Sequence, residues 1–158
     1  MGILFEHEDE FEDDLSVPNE TIIYYSRINI YAEMIIGILI VIFGIYGFYT
    51  KDYLPAIVFI PFGIYVIYRE QKKAKNTNPQ IILNKDGIEI CTMKFSKWSN
   101  VRELEIVDES NVDSREYFLR YETKYGKASI KIDDLDTHPA ALRKLIHVYI
   151  YRNKQRKH

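Results

Sequence analysis

The sequence contains very little cysteine, because Cys91 is the only thiol among 158 residues. A single thiol cannot form an internal disulfide, so a disulfide-stapled scaffold of an oxidising compartment is not indicated. The start of the chain also lacks the basic residues and the early apolar run of a signal peptide. Its first residues are acidic, and its first long apolar run begins only at Met34. We therefore expect no cleaved leader.

Recognisable catalytic and metal-binding signatures are also lacking. There is no P-loop, no GxGxxG and no nucleophile elbow. None of the four histidines stands at metal-ligand spacing with the cysteine or with another histidine. The acids Asp133, Asp134 and Asp136 lack the glycine and the distal glutamate of a calcium loop, so we interpret them as a polar turn. The sequence thus predicts a protein that is not an enzyme, with no catalytic residue, no cofactor and no metal.

The net charge of −2 conceals an uneven distribution of charge along the chain. Residues 1–20 carry eight acids and no Lys or Arg, whereas residues 139–158 carry six bases and no acid. This acidic head and basic tail could pair with each other, bind separate partners or stay solvated. Nucleic acid is not an expected partner, because the total charge is negative and the strands show no interleaved basic and aromatic surface.

Two apolar runs, residues 34–49 and 54–68, are separated by a short polar link. Flanking residues extend each run towards the roughly 20 residues that cross a bilayer. All faces of both helices are apolar, and so small a protein could hardly cover them. The pattern therefore predicts a two-helix transmembrane hairpin over residues 28–70, in contact with membrane lipids, rather than a buried core.

Five residues in these helices are candidates for packing within the membrane. Pro61 lies in the middle of the second helix and is expected to kink it. Glu33 lies at the edge of the first span, where a carboxylate is either interfacial or functional. Gly37, Gly44 and Gly47 could let the two helices approach closely, or could support a homo-oligomer.

The bases are concentrated at the outer ends of the two helices. The turn between the helices carries only Lys51, which Asp52 offsets. The positive-inside rule therefore predicts a protein of the cytoplasmic (inner) membrane with both termini in the cytoplasm. The bases that carry this prediction are Arg27, Arg69, Lys72, Lys73 and Lys75.

Beyond a basic linker at residues 71–79, the pattern changes to a period of two, which is typical of strands. We predict strands at 80–83, 88–92, 93–98, 101–107, 117–122 and 128–132, with Gly87 in a turn that needs positive φ. A helix follows, with Pro139 in its first turn and Thr137 as the expected cap. The domains are then an acidic, partly flexible N-terminal segment (1–27), the hairpin (28–70), the linker (71–79) and an α+β domain (80–158).

Three segments resemble uncharacterised bacterial membrane proteins in which two helices precede a PH-like domain. They are ILNKDGIE at 82–89, KWSNV at 97–101 and IDDL at 132–135. The resemblance covers roughly residues 30–150. It implies membrane anchoring and a PH-like antiparallel β roll closed by a C-terminal amphipathic helix, for which residues 80–158 are slightly short. The acidic head is not part of this pattern.

The leading hypothesis is a non-enzymatic, membrane-anchored interaction module. Its cytoplasmic PH-like domain would bind a protein partner or a lipid headgroup, for example as an immunity or accessory protein. The alternative is a subunit or regulator of a membrane transporter or secretion complex that acts through the hairpin. Trp98 either anchors a partner or closes one end of the sheet, and clustered bases would orient the domain at an anionic leaflet. The candidate lipid or partner contacts are Lys72, Lys73, Lys75, Trp98, Arg152, Lys154, Arg156 and Lys157.

Overall fold

The structure is a computed structural model of the full chain. It describes residues 13–91, 93–109, 115–124 and 126–156. The chain divides into two compact units. The helical unit is Tyr25–Thr77, and the sheet unit combines the residues that precede Tyr25 with those that follow Thr77. The predicted boundary between residues 27 and 28 therefore differs from the observed division, which falls after Tyr24.

The helical unit consists of two long helices, α1 (Arg27–Tyr49) and α2 (Tyr53–Lys75). Ser26 caps α1, because its hydroxyl accepts a hydrogen bond from the Asn29 amide at 3.4 Å. Asp52 occupies the N-cap position of α2 without a side-chain capping bond. Lys51 turns the chain with a φ of 63°. The two predicted apolar helices are thus confirmed as helices, and both are long and apolar enough to cross a membrane.

The sheet unit contains a four-stranded antiparallel sheet, a three-stranded antiparallel sheet and a C-terminal helix, which is an α+β layout. The first sheet has the order β1 (Glu20–Ile23), β2 (Ile81–Asn84), β3 (Gly87–Ile90) and β4 (Met93–Lys97). The second has the order β5 (Val101–Asp108), β6 (Tyr117–Thr123) and β7 (Gly126–Lys131). Helix α3 (Pro139–Gln155) follows. Six of these strands and α3 correspond to predicted elements.

Strand β1 has no counterpart in the sequence predictions. It pairs with β2, and Ile23 lies opposite Ile81 although the entire helical unit separates them in sequence. A four-residue strand next to an acidic stretch carries too little alternation to be recognised by itself. The described end of the predicted N-terminal segment therefore supplies an edge strand of the first sheet.

Two local predictions are wrong. The cap of α3 is His138 rather than Thr137, and its Nδ1 accepts a hydrogen bond from the Ala140 amide at 3.3 Å. Gly87 does not adopt positive φ. It is needed because β3 and β4 approach closely there, and a Cβ at this position would lie 2.1 Å from the Ser96 carbonyl oxygen.

Both sheets and α3 contribute fully buried apolar side chains to the core of the sheet unit. On α3 these residues recur at helical spacing, as the sequence pattern predicts, so one face of the helix is buried. Burial of each large apolar side chain stabilises the fold by roughly 1.5–3 kcal/mol. Among the fully buried residues are Leu83, Ile88, Leu104, Leu119, Leu142 and Ile146.

The strand register defines two ends of the first sheet. At the junction end the chain leaves for the helical unit after Tyr24 and returns to begin β2. At the distal end the turn at residues 85–86 joins β2 to β3. Helix α3 runs from the first end to the second, because the Asp136 amide donates to Tyr24 O at 2.8 Å and Asn153 Nδ2 donates to Lys85 O at 2.8 Å.

Residues 13–19, which we call the strap, lie against α3 just before β1. Arg152 holds the strap through four hydrogen bonds, to Asp13 Oδ1 at 2.7 Å and to the carbonyls of Asp14, Val17 and Pro18 at 2.9 Å. The Tyr149 hydroxyl also donates to Pro18 O at 2.9 Å. The described part of the acidic head thus pairs with the basic tail, which was one of the open alternatives.

The strap also holds an ion pair whose strength depends on pH. Lys144 Nζ lies 2.6 Å from Asp14 Oδ2, and the Ser16 hydroxyl donates to Asp14 Oδ1 at 2.6 Å. These hydrogen bonds, that from Lys144 above all, lower the pKa of the Asp14 carboxyl below its ordinary value of 3.8. The carboxylate is therefore favoured in the folded state.

We expect Arg152→Ala to release the strap, because it removes all four hydrogen bonds at once. Amide hydrogen exchange across β1, measured on the full chain in detergent, should become about tenfold faster, which corresponds to about 1.4 kcal/mol. Arg143→Ala, at an exposed position on the same helix, should leave this exchange unchanged. Equal exchange in Arg152→Ala and the parent chain would contradict the role of Arg152.

The Asp14 ion pair should give the sheet unit a pH-dependent stability. Since the folded pKa lies below the unfolded one, the stabilisation is complete above pH 3.8 and is lost as the pH falls through the lower, folded value. Asp14→Asn should therefore lower the melting temperature by a similar amount at about pH 7 and at about pH 5. Unfolding is monitored by the fluorescence of Trp98. This difference should shrink only in stronger acid. A difference that disappears while the pH is still well above 3.8 would contradict this account.

Candidate functional site

The outer surface of the helical unit is its most prominent feature. Within the 18-residue apolar stretch of each helix, only 17% of the residues are buried. Large apolar side chains on both helices are at least half exposed, so neither helix is the core helix of the described protein. Those on α1 include Ile35, Ile36, Leu39, Ile42, Phe43 and Ile45, and those on α2 include Leu54, Ile57, Val58, Phe62 and Ile64.

The predicted packing glycines lie between the two helices of this unit. Gly37, Gly44 and Gly47 are buried on one face of α1. A Cβ on Gly44 would lie 3.1 Å from the backbone nitrogen of Ile60, so the helices approach almost backbone to backbone. Gly63 of α2 completes this contact, since its Cβ would lie 2.8 Å from Gly37 O, and the sequence spacing gave no sign of it.

The other two packing candidates have different environments. Pro61 is exposed, and α2 continues without interruption through it from Tyr53 to Lys75. Glu33 forms an ion pair with Arg69 of the opposite helix. The sequence pattern does not indicate this pair, because the two residues lie 36 positions apart and meet only when the helices pack.

Arg69 and Glu33 belong to a larger charged cluster near the end of α2. Glu70 is only 1% exposed, and its Oε1 lies 2.6 Å from Arg69 Nε and 3.2 Å from Lys73 Nζ. A buried carboxylate needs such partners, because an unpaired charge would be costly to bury. Of the predicted contact residues in this region, Lys73 is therefore engaged internally, whereas Lys72 and Lys75 are exposed.

The basic residues at the C-terminal end of α3 lie at the distal end of the sheet. Arg152 holds the strap and is 16% exposed, so it is a structural residue. Arg156 Nη1 lies 2.8 Å from Asp86 Oδ1 in the β2–β3 turn. Lys154 is exposed, and Lys157 lies outside the described residues. The predicted basic set is thus divided between a structural role and the distal surface.

A groove opens at this distal end, with a volume of about 530 Å³. We call it the distal groove. Trp98 forms one wall and is only 4% exposed, and its indole Nε1 donates to Asn84 O at 2.9 Å, which satisfies this buried donor. This burial matches the interpretation that the ring closes one end of the sheet. The other described residues that line the groove are Asn84, Asp86, Phe95, Lys97, Ser99, Asn153 and Arg156.

The chemistry of the distal groove is that of a binding surface with positive charge. Lys97 and Arg156 contribute cations, Asp86 contributes one carboxylate, and Phe95 is an apolar side chain that is 42% exposed. In the described part of the chain, no three His, Cys, Asp or Glu residues are grouped so that they could hold a metal ion. The groove can therefore offer charge and an aromatic contact to a ligand.

A second, open depression of about 440 Å³ lies over one face of the second sheet. Its lining carries both acids and bases, and Lys127 Nζ lies 2.5 Å from Glu122 Oε2. Cross-strand pairs of this kind stabilise the surface of a sheet. Arg120 is likewise paired with Glu109, so both bases of the described lining are already engaged, and this face is a weaker candidate than the distal groove.

Comparison with known proteins adds no assignment to this geometry. The two most informative features remain the exposed apolar surface of the helical unit and the positively charged distal groove of the sheet unit. These two surfaces are therefore the candidate functional sites. Neither protein-family models, nor curated proteins, nor solved structures give a match to this chain.

Proposed function

We propose that the chain is a non-enzymatic, membrane-anchored interaction module. The observation that carries this proposal is the apolar outer surface of α1 and α2, which the described protein leaves largely exposed. Water cannot solvate so large an apolar surface favourably, whereas lipid can. The sheet unit, in contrast, has its own buried core. The helical unit is the membrane anchor, and the sheet unit is exposed to aqueous solvent.

The distribution of bases supports an orientation for this hairpin. Basic side chains cluster where α1 begins and where α2 ends, while Lys51 at the turn is next to Asp52. By the positive-inside rule, the open end of the hairpin is cytoplasmic and the turn lies outside. The protein is then located in the cytoplasmic membrane, with the sheet unit and both termini in the cytoplasm.

The layout of the sheet unit supports a PH-like β roll. A four-stranded and a three-stranded antiparallel sheet followed by one amphipathic helix is the arrangement that such a domain uses. Residues 80–158 alone were slightly short for it. Strand β1 supplies the missing strand from the N-terminal side. The membrane hairpin is then an insertion between the first two strands of a PH-like domain, rather than a segment that precedes it.

Interaction through the sheet unit is favoured over action through the hairpin. The glycines of α1 are used for contact with α2, and Glu33 is paired with Arg69. What remains on the outer surface of the hairpin is mainly apolar and suited to lipid. A transporter or secretion-complex subunit would require specific contacts from this surface. An immunity or accessory protein that binds a protein partner requires only that the surface of its sheet unit is accessible.

Cysteine labelling in intact cells tests this topology. In a Cys91→Ser background, Lys51→Cys should react with a membrane-impermeant maleimide from outside. The exposed native Cys91 should react only after the cells are permeabilised, which makes the native chain its own control. Both forms should remain in the membrane pellet after alkaline carbonate extraction. Extraction into the soluble fraction, or labelling of Lys51→Cys only after permeabilisation, would refute the proposal.

A further inference from the structure

We propose that the distal groove binds an acidic peptide segment of a partner protein. This inference rests on the proposed function and deepens it, because it names the class of partner and the surface that recognises it. It depends on the local charge of the groove, the hydrogen bonds made by the amides of its turn, and an exposed aromatic side chain in its lining.

The local charge of the groove favours an anionic ligand. Lys97 and Arg156 line it, and the exposed residues Lys85 and Lys154 adjoin the lining residues in sequence. Asp86 is the only acid among the described residues that line the groove. Arg156 already pairs with this acid, whereas Lys97 makes no ion pair with any other described residue. A carboxylate of a ligand can therefore pair with Lys97 directly and compete with Asp86 for Arg156.

The turn at the edge of the groove disfavours a phosphate group. Asn84 Oδ1 accepts hydrogen bonds from the amides of Asp86 and Gly87, both at 3.0 Å. These amides are therefore not available to cradle phosphate oxygens, as they are in an anion-binding nest. The Asp86 carboxylate would also repel a doubly charged phosphate more than a single carboxylate. Singly charged groups spaced along a peptide suit the groove better.

An exposed aromatic side chain in the groove also favours a peptide. Phe95 lies on β4 beside the cations and is 42% exposed, so it offers apolar contact to a side chain between two acids.

The test uses the full chain in neutral detergent micelles and a fluorescein-labelled synthetic peptide of alternating Glu-Glu-Phe units. Binding is measured by the anisotropy of the label and by the emission of Trp98, the only tryptophan, which lines the groove. We expect saturable binding that weakens as salt is raised, because the contacts are charged and exposed. A peptide with Lys in place of Glu should not bind.

Charge variants locate the binding to the groove. The double variant Lys97→Glu and Arg156→Glu should weaken binding by about tenfold or more, because two attractive contacts become repulsive. Arg102→Glu together with Arg143→Glu, at exposed positions outside the groove, makes the same change in net charge and should have little effect. Asp86→Asn should strengthen binding, since it frees Arg156. A loss of folding would not produce such a gain.

Several outcomes would overturn this proposal. They are the absence of any peptide-dependent change in anisotropy or in Trp98 emission, equal weakening by the two double variants, and no gain with Asp86→Asn. Binding that becomes detectable only after deletion of residues 1–12 would assign the groove to the chain's own acidic head instead. A Trp98 response to anionic nanodiscs without peptide would assign it to lipid. These measurements do not depend on membrane topology, so they can fail while the labelling experiment succeeds.

Discussion

The pairing of β1 with β2 is the constraint on which the remaining architecture depends. It joins residues on either side of the helical unit and sets Ile23 opposite Ile81. Closing a flexible loop over residues 24–80 would cost on the order of 3–4 kcal/mol in chain entropy. Two antiparallel helices of equal length reduce this cost, because they bring their own outer ends together. The packing of α1 on α2 and the pairing of β1 with β2 therefore support each other.

The same constraint explains why the strap is held so firmly. A four-residue edge strand buries little surface, and an isolated edge is easily lost. Arg152 fixes the strap immediately before β1, with three backbone carbonyls among its acceptors. Tyr149 adds the bond to Pro18, and Thr21 of β1 lies 2.7 Å from the same hydroxyl. Helix α3 thus anchors β1 from its N-terminal side, while β2 pairs with it along its length.

Sequence periodicity was sufficient to predict the elements that carry a strong local pattern. The two apolar helices, six strands and α3 have such patterns, and the irregularity in β5 before Leu104 is observed as a register shift between Val101 and Glu103. The pattern could not identify β1, whose partner strand lies beyond the entire hairpin. Nor could it show that Gly63 completes the helix contact, because that residue meets Gly37 only after both helices have packed.

The contacts of the candidate site residues were harder to predict, since they depend on where each element ends in space. Two basic clusters look alike in sequence, yet their side-chain contacts differ. Lys72, Lys73 and Lys75 lie near the end of α2, where Lys73 pairs with the buried Glu70, whereas Arg156 pairs with Asp86 in the β2–β3 turn. Arg152 differs from both, because backbone carbonyls and Asp13 occupy its guanidinium. Basic side chains therefore have three different environments in this chain, and only the side-chain contacts distinguish them.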